Sequence, residues 1–424
     1  MTALVINSVL GSGIFALVGE INRLVGRASP FALMVAAAVM GIIMACVIEV
    51  ASQFSEPGGP YLYTRTALGR FVGIQIGWFS LLSFAGSIAV AANLVTDYLT
   101  LLLHVTLSPW QRALVMALLI SVPTAANYRG ARTGANLSTV MTVVKLLPLF
   151  LLIAFGLAHF ARDPQIIPLP EIVSPSWSNW LRCIALLIFP FAGWEESLIP
   201  AGEVREPRRT IPFALATGLV TCATVYMLLQ FVTVCTVGPN STEQPVAQTA
   251  TILLGRGGAA LISLAIMMSA FGYISANLLN DSRLLYSLAA QGDFPPVFAN
   301  VHPRFHTPAI AIVAYAFVGW VVAISGTLQF VLALTAGATT IYFAGMCACL
   351  IPLRKRHPAV DAFRVRFGPT LSLIAIAISL SLMVGMKPRE LLLMLVTAMI
   401  AGANWLWVRQ RSVPSQPKIH VPAT

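Results

Sequence analysis

The sequence predicts an all-α polytopic membrane protein with about 12 transmembrane helices, and three observations carry that prediction. Hydrophobic residues make up 58% of the 424, where soluble globular chains hold roughly 45–50%. Charged residues make up 10%, against about 25% in soluble chains, too few to cover a water-facing surface of this size. The apolar runs recur along the whole chain, which excludes a single anchor.

A helix needs about 17–25 apolar residues to cross a hydrocarbon core of roughly 30 Å. The stretches that qualify are 2–24, 30–54, 71–103, 109–127, 135–160, 180–201, 211–237, 257–289, 308–326, 328–352, 368–386 and 388–408. The third and eighth are long enough to cross at a steep tilt. No basic segment precedes the first run, so it is expected to be a retained span and not a cleaved signal. A single transmembrane domain is expected over 1–409. Residues 410–424, with Pro414, Pro417 and Pro422, read as a short disordered tail.

The net charge of +11 is explained by the enrichment of Lys and Arg in cytoplasmic loops. The connections after the even-numbered spans, with the tail, hold sixteen of the 26 basic residues; the opposite face holds eight, and Lys145 and Arg283 lie within helices. That asymmetry predicts an inner-membrane protein with both termini cytoplasmic, although Arg23 and Arg27 fall on the wrong side. No basic tract is interleaved with aromatics, so no nucleic-acid partner is expected; the lipid bilayer is. The six cysteines (Cys46, Cys183, Cys222, Cys235, Cys347, Cys349) are scattered through apolar stretches without zinc-site spacing. Neither a His-Glu-x-x-His motif nor a Gly-x-Ser-x-Gly elbow occurs. No metal, no cofactor and no enzyme activity are expected.

Chemistry is expected where spans are interrupted, because lipid leaves unpaired backbone groups no other partner. The first span contains Gly11-Ser12-Gly13 followed by Ile14-Phe15, and the sixth contains Phe189-Pro190-Phe191-Ala192-Gly193-Trp194-Glu195. Glycine permits unwinding and proline removes a donor. Paired breaks in corresponding spans of two halves point to a midplane binding site. A broken helix offers N–H groups to a carboxylate and C=O groups to an ammonium or sodium ion, which suits an α-amino acid. The alternative is that each cluster only lets helices pack closely.

At these residues the chain resembles the amino acid–polyamine–organocation permeases. The opening Gly11-Ser12-Gly13-Ile14-Phe15 resembles that family's first-span signature. So do Glu49 with Pro57-Gly58-Gly59-Pro60-Tyr61, Asn127-Tyr128-Arg129-Gly130, Gly193 to Pro212, and Ser282-Arg283 to Pro295 with Thr307-Pro308 for later signatures. The resemblance implies a LeuT-type five-plus-five inverted repeat with broken helices 1 and 6. Repeat one would cover about 1–160, repeat two about 178–352 and two extra helices about 366–409. It implies secondary active transport of amino acids by alternating access, as proton-coupled uptake or, alternatively, as exchange. A solute sensor or a membrane enzyme is the more distant alternative. It also implies that backbone at Ser12 and Gly13, with Val9 and Ile14 beside it, holds the substrate carboxylate. Phe189 would cover the substrate, Ala192 and Gly193 line the pocket, and Glu195 confer proton sensitivity. Two departures stand out: Ala16-Leu17-Val18 replaces a common proline, and Glu206-Pro207 replaces Asn-Pro. Only ten residues precede Gly11, which leaves open a start upstream of Met1.

Lys145 stands about ten residues into the fifth span, roughly 15 Å deep at 1.5 Å per residue. A charge there costs about 2.5 kcal/mol or more and needs a partner or a cavity. The resemblance implies proton coupling, with the ammonium where sodium-coupled relatives hold sodium; a permanently charged tie to the first span is the alternative. Glu195 is open to three roles: proton sensing, contact with a substrate amine, or capping of the helix that follows. Glu49 and Glu203 are expected in cytoplasmic-side contacts and Asp281 in a structural one. Phe189, Ala192 and Trp194 beside one carboxylate favour neutral or apolar amino acids over acidic ones.

Overall fold

The computed structural model describes residues 5–6, 9–11, 13–54, 59–129, 148–162, 175–195, 207–238, 244–356 and 363–410. The fold is all-α: among the described residues there is no strand. The helices are α1 (Gly13–Val25), α2 (Ser29–Ala51), α3 (Gly59–Leu68), α4 (Arg70–Leu103) and α5 (Pro109–Arg129). The helix α6 covers Pro148–Arg162. They are followed by α7 (Trp177–Leu187), α8 (Pro207–Val237), α9 (Pro245–Ala290), α10 (Ala309–Ile324), α11 (Leu328–Arg356), α12 (Gly368–Met383) and α13 (Pro388–Val408).

Among the described residues, six helical stretches are long and apolar enough to cross a membrane: Gly13–Ala51, Arg70–Leu103, Pro212–Val237, Pro245–Ala290, Leu328–Arg356 and Pro388–Val408. Gly26, at φ +55°, bends the first of them into α1 and α2. Three shorter apolar helices are α6, α10 and α12. Helix bounds match eight of the sequence-derived spans to within a few residues; the starts of the first and fifth spans and the end of the sixth fall largely outside the described residues. Two differences stand out. The eighth span was expected from 257, but helix runs from Pro245, with Gly255 at φ 72°, ψ −174° interrupting it. The helix α3 occupies what reads in sequence as a loop after the second span.

Burial orders the bundle. The most apolar window of α4 is 94% buried and that of α13 only 17%, so α4 is the central post and α13 a perimeter helix. Exposed Phe31, Phe317 and Leu395 give the outside the apolar surface that lipid requires. Glycine lets α4 and α11 approach closely: a Cβ on Gly86 would collide with the Thr335 side chain, and one on Gly345 with Ile76. Small residues at helix crossings are the expected packing device within a bilayer. Gly86→Leu is accordingly expected to destabilise the protein by about 1–3 kcal/mol through overpacking, read as a lower heat-aggregation midpoint in detergent.

One end of the bundle, where α2, α9 and α11 finish, is tied by two ion-pair clusters. Glu49 of α2 pairs with Arg354 of α11 through both carboxylate oxygens. Its Oε2 also accepts from Val365 N at 2.8 Å. Glu49 thus makes its contacts at a helix end, with a partner, Arg354, that the sequence did not indicate; Glu203 lies outside the described residues. In the second cluster the wholly buried Asp293 carboxylate accepts from Tyr61 Oη at 2.6 Å and Arg70 Nε at 2.6 Å, and pairs with Arg65 Nε at 3.0 Å. Burial first, then the Asp293 charge, push the Tyr61 phenol well above its ordinary range, so Tyr61 remains the donor. Asn404 of α13 donates to Asp293 O at 3.0 Å and accepts from Trp78 Nε1 at 3.0 Å. Asp281 has the structural contact expected of it, accepting from Tyr315 Oη at 3.1 Å.

Candidate functional site

Leu10 and Gly11, ahead of α1, are not helical. Leu10 N donates to Ile6 O, and Gly11 N turns back to Val9 O at 2.7 Å, a three-residue turn that a helix does not contain. Gly13 then begins α1. The second interruption follows α7, where Pro190 lacks the N–H that would continue the helix. Ala192 N bonds back to Phe189 O at 3.1 Å, and Gly193 takes φ +96°, a conformation that only glycine adopts without strain.

The two interruptions are in contact. A Cβ built on Gly13 would lie 3.0 Å from Pro190 Cα and 3.1 Å from Phe189 Cε1. Tyr226 of α8 fastens them together, its hydroxyl lying 2.7 Å from Val9 O and 3.1 Å from Pro190 O. One proton is thus shared between carbonyls of both breaks. Gly11 lies against a third helix, with a Cβ there meeting the Tyr273 ring of α9 at 3.0 Å.

The polarity of this junction follows from chain direction. The helix α1 starts at the break and points its N-terminus into it; α7 arrives and points its C-terminus into it. A helix N-terminus carries about half a positive charge and a C-terminus about half a negative one. The junction therefore presents a site for an anionic group beside a site for a cationic group. Its walls are apolar and closed to solvent: Val9, Ile14, Phe189 and Trp194 are all buried, and Ala192 is half-buried. Trp194 stacks face to face on Phe343 of α11, 5.6 Å between ring centres.

Glu195 is the carboxylate of the junction. Its Oε2 accepts from Gly193 N at 2.9 Å and its Oε1 accepts from Tyr342 Oη at 2.6 Å. Both oxygens are thus bonded inside the break itself and to α11. Of the residues singled out in sequence, Val9, Gly13, Ile14, Phe189, Ala192, Gly193 and Glu195 gather at this junction; Ser12 and Lys145 lie outside the described residues. Sequence reading missed Tyr226, Tyr273 and Tyr342. The available signal was a phenol hydroxyl within an apolar span, which needs a partner where water is absent.

Beyond the junction, along α1, lies a cavity of about 340 Å³ that begins at Phe15 and reaches Arg23. Its wall includes Asp97 near the end of α4, Arg112 of α5 and Gln329 of α11, so it opens at the end of the bundle opposite the Asp293 cluster.

Comparison with known proteins agrees with this architecture. The chain is 29% identical over 329 residues to the serine/threonine exchanger SteT of Bacillus subtilis, covering 73% of this chain and 72% of that protein. It is 25% identical over 411 residues to the methylthioribose transporter of Bacillus subtilis, covering 90% and 86%. To cationic amino acid transporter 4 of Homo sapiens it is 26% identical over 384 residues, covering 84% and 60%. A profile described as amino acid permease matches residues 1–407. The chain therefore belongs to the amino acid permease family of the amino acid–polyamine–organocation superfamily, and is a transporter and not an enzyme.

Proposed function

We propose that this protein carries a neutral α-amino acid across the cell membrane by alternating access, with the substrate held where the α1 and α7 interruptions meet. The observation that carries the reading is the opposed polarity of those two helix ends in contact at Gly13 and Phe189–Pro190. Backbone at Ser12 and Gly13 takes the carboxylate, and carbonyls at the end of α7 take the ammonium. Val9, Ile14, Phe189 and Ala192 form the walls, Gly193 sets the turn, and Glu195 stands beside the ammonium. In this reading residues 1–409 form one transport domain, a five-plus-five repeat followed by two further helices, with both termini cytoplasmic and residues 410–424 a cytoplasmic tail. Burial of Val9, Ile14 and Phe189, with Ala192 half-buried, supports reading this arrangement as a largely occluded stage of the cycle.

Coupling is assigned to Lys145, whose ammonium is the group that exchanges a proton in this reading. Exchange is the second reading, favoured by the likeness to a serine/threonine exchanger. The test is uptake of a labelled panel by protein in vesicles, with and without a proton gradient, for native protein and Lys145→Ala. The panel comprises the twenty amino acids and methylthioribose. Accumulation driven by the gradient and lost in Lys145→Ala is the expected result. Flux that needs amino acid on the opposite side and ignores the gradient establishes exchange. Folded protein that carries no amino acid overturns the substrate class.

A further inference from the structure

The cavity beside α1 has a composition the central junction lacks: formal charge of both signs. Helix α1 supplies Glu20 and Arg23 to it; Asp97 of α4 and Arg112 of α5 supply the rest. Its volume of about 340 Å³ falls within the roughly 300–1,000 Å³ typical of small-molecule sites.

The two charge pairs are built differently. Asp97 and Arg112 are in tight contact at 2.6 Å, and their surroundings fix them. Arg112 donates to Asn93 Oδ1 at 2.9 Å, Asn93 donates to Ala323 O at 3.0 Å, and Gln244 donates to Asp97 O at 3.2 Å. Glu20 and Arg23, one turn apart on α1, stand 3.8 Å from each other, beyond hydrogen-bond distance. Their side chains are 18% and 42% exposed, a pairing of a kind that contributes little to stability. A ligand carrying an ammonium and a carboxylate on one carbon replaces that loose pairing with two charge-assisted hydrogen bonds.

We infer that this cavity is a second binding site for a zwitterionic amino acid, with Glu20 taking the ammonium and Arg23 the carboxylate. The inference rests on the proposed substrate class. Phe15, Ala16, Gly19, Glu20 and Arg23 all line the cavity and follow one face of α1 at helical spacing. From Arg23 to Phe15 that face descends about 12 Å at 1.5 Å per residue, and Gly13 is two residues further on. The outer site thus stands in line with the junction, and a zwitterion passes from side-chain charges to helix ends without shedding both partners at once.

The test is equilibrium binding in lipid nanodiscs of the tritiated amino acid that the transport panel carries best. Native protein, Glu20→Gln and Arg23→Gln are compared, with heat-unfolding midpoints to confirm folding. Native protein is expected to bind two molecules per chain. Each variant is expected to bind one, with the second site weakened about tenfold or more by loss of a hydrogen bond to a charged group. The methyl ester of the same amino acid, which lacks the carboxylate, is expected to miss the outer site in native protein. One molecule per chain in native protein, or two in both folded variants with unchanged affinity, overturns the outer site and leaves the central one standing. If only one variant folds, its stoichiometry decides. No binding of any amino acid to native protein removes the substrate class itself, and the outer site with it.

Discussion

Gly13→Val abolishes amino-acid uptake, lowering the rate by about a hundredfold or more if a displacement of about 1 Å costs transport what it costs catalysis. Even one carbon at this position lies 3.0 Å from Pro190 Cα and 3.1 Å from Phe189 Cε1. The nearest atom is backbone, which has no rotamer to escape into. Valine adds two further methyl groups, which push the α1 start and the α7 end apart and move the two helix termini off a common ligand. Gly13→Ala, whose Cβ is tight but not overlapping, retains partial uptake. Both variants are compared in vesicles against native protein at equal amounts of folded transporter, judged by monodispersity. Uptake by Gly13→Val within about twofold of native would place the substrate elsewhere.

Asp293→Ala carries the second large effect, and it falls on stability. Removing this wholly buried carboxylate leaves Arg65, 6% exposed, and Arg70, 15% exposed, with their shared anion gone. Breaking a buried charge pair on one side costs about 3–5 kcal/mol, because the remaining charge stays desolvated. The expected result is a steep loss of folded protein and a lower unfolding midpoint. Asp293→Asn, which keeps an acceptor for Tyr61 or Arg70, loses less. Tyr61→Phe removes one hydrogen bond to a charged group and is expected to cost about 1.5–3 kcal/mol. Equal midpoints for native protein and Asp293→Ala would mean that the cluster is solvated and holds nothing.

The all-α architecture was legible in sequence because a bilayer demands long apolar runs, and those runs are visible one by one. The two breaks were legible for the same reason: Gly11-Ser12-Gly13 and Pro190 with Gly193 violate the rule that a spanning helix satisfies its own backbone. Their meeting was not legible from residue types alone, since it depends on Gly13 pressing against Phe189–Pro190 across 176 residues of chain. Tyr226 and Tyr342 escaped because a tyrosine within an apolar span reads as core; only the partner carbonyls and carboxylate reveal its role. The clusters at Glu49 and Asp293 escaped for a related cause. Arg65, Arg70 and Arg354 were counted as loop charge that orients the protein, and charge counting does not distinguish a solvated arginine from one that holds two helices together. The helix α3 was missed because its polar residues, Thr64, Arg65 and Thr66, give it no spanning signal.

The bond from Asn404 to the Asp293 carbonyl joins residues 111 positions apart, and α13 is the last of the described helices to leave the ribosome. Asn404 comes from the perimeter helix α13, whereas the Arg65, Arg70 and Tyr61 contacts to Asp293 need only α3, α4 and the chain after α9. The knot is fastened to the perimeter only when Asn404 arrives and takes both Asp293 O and the Trp78 indole. A protein terminated before residue 404 keeps the ion pairs of Asp293 but leaves its carbonyl and the Trp78 indole N–H without the partner that Asn404 supplies to both.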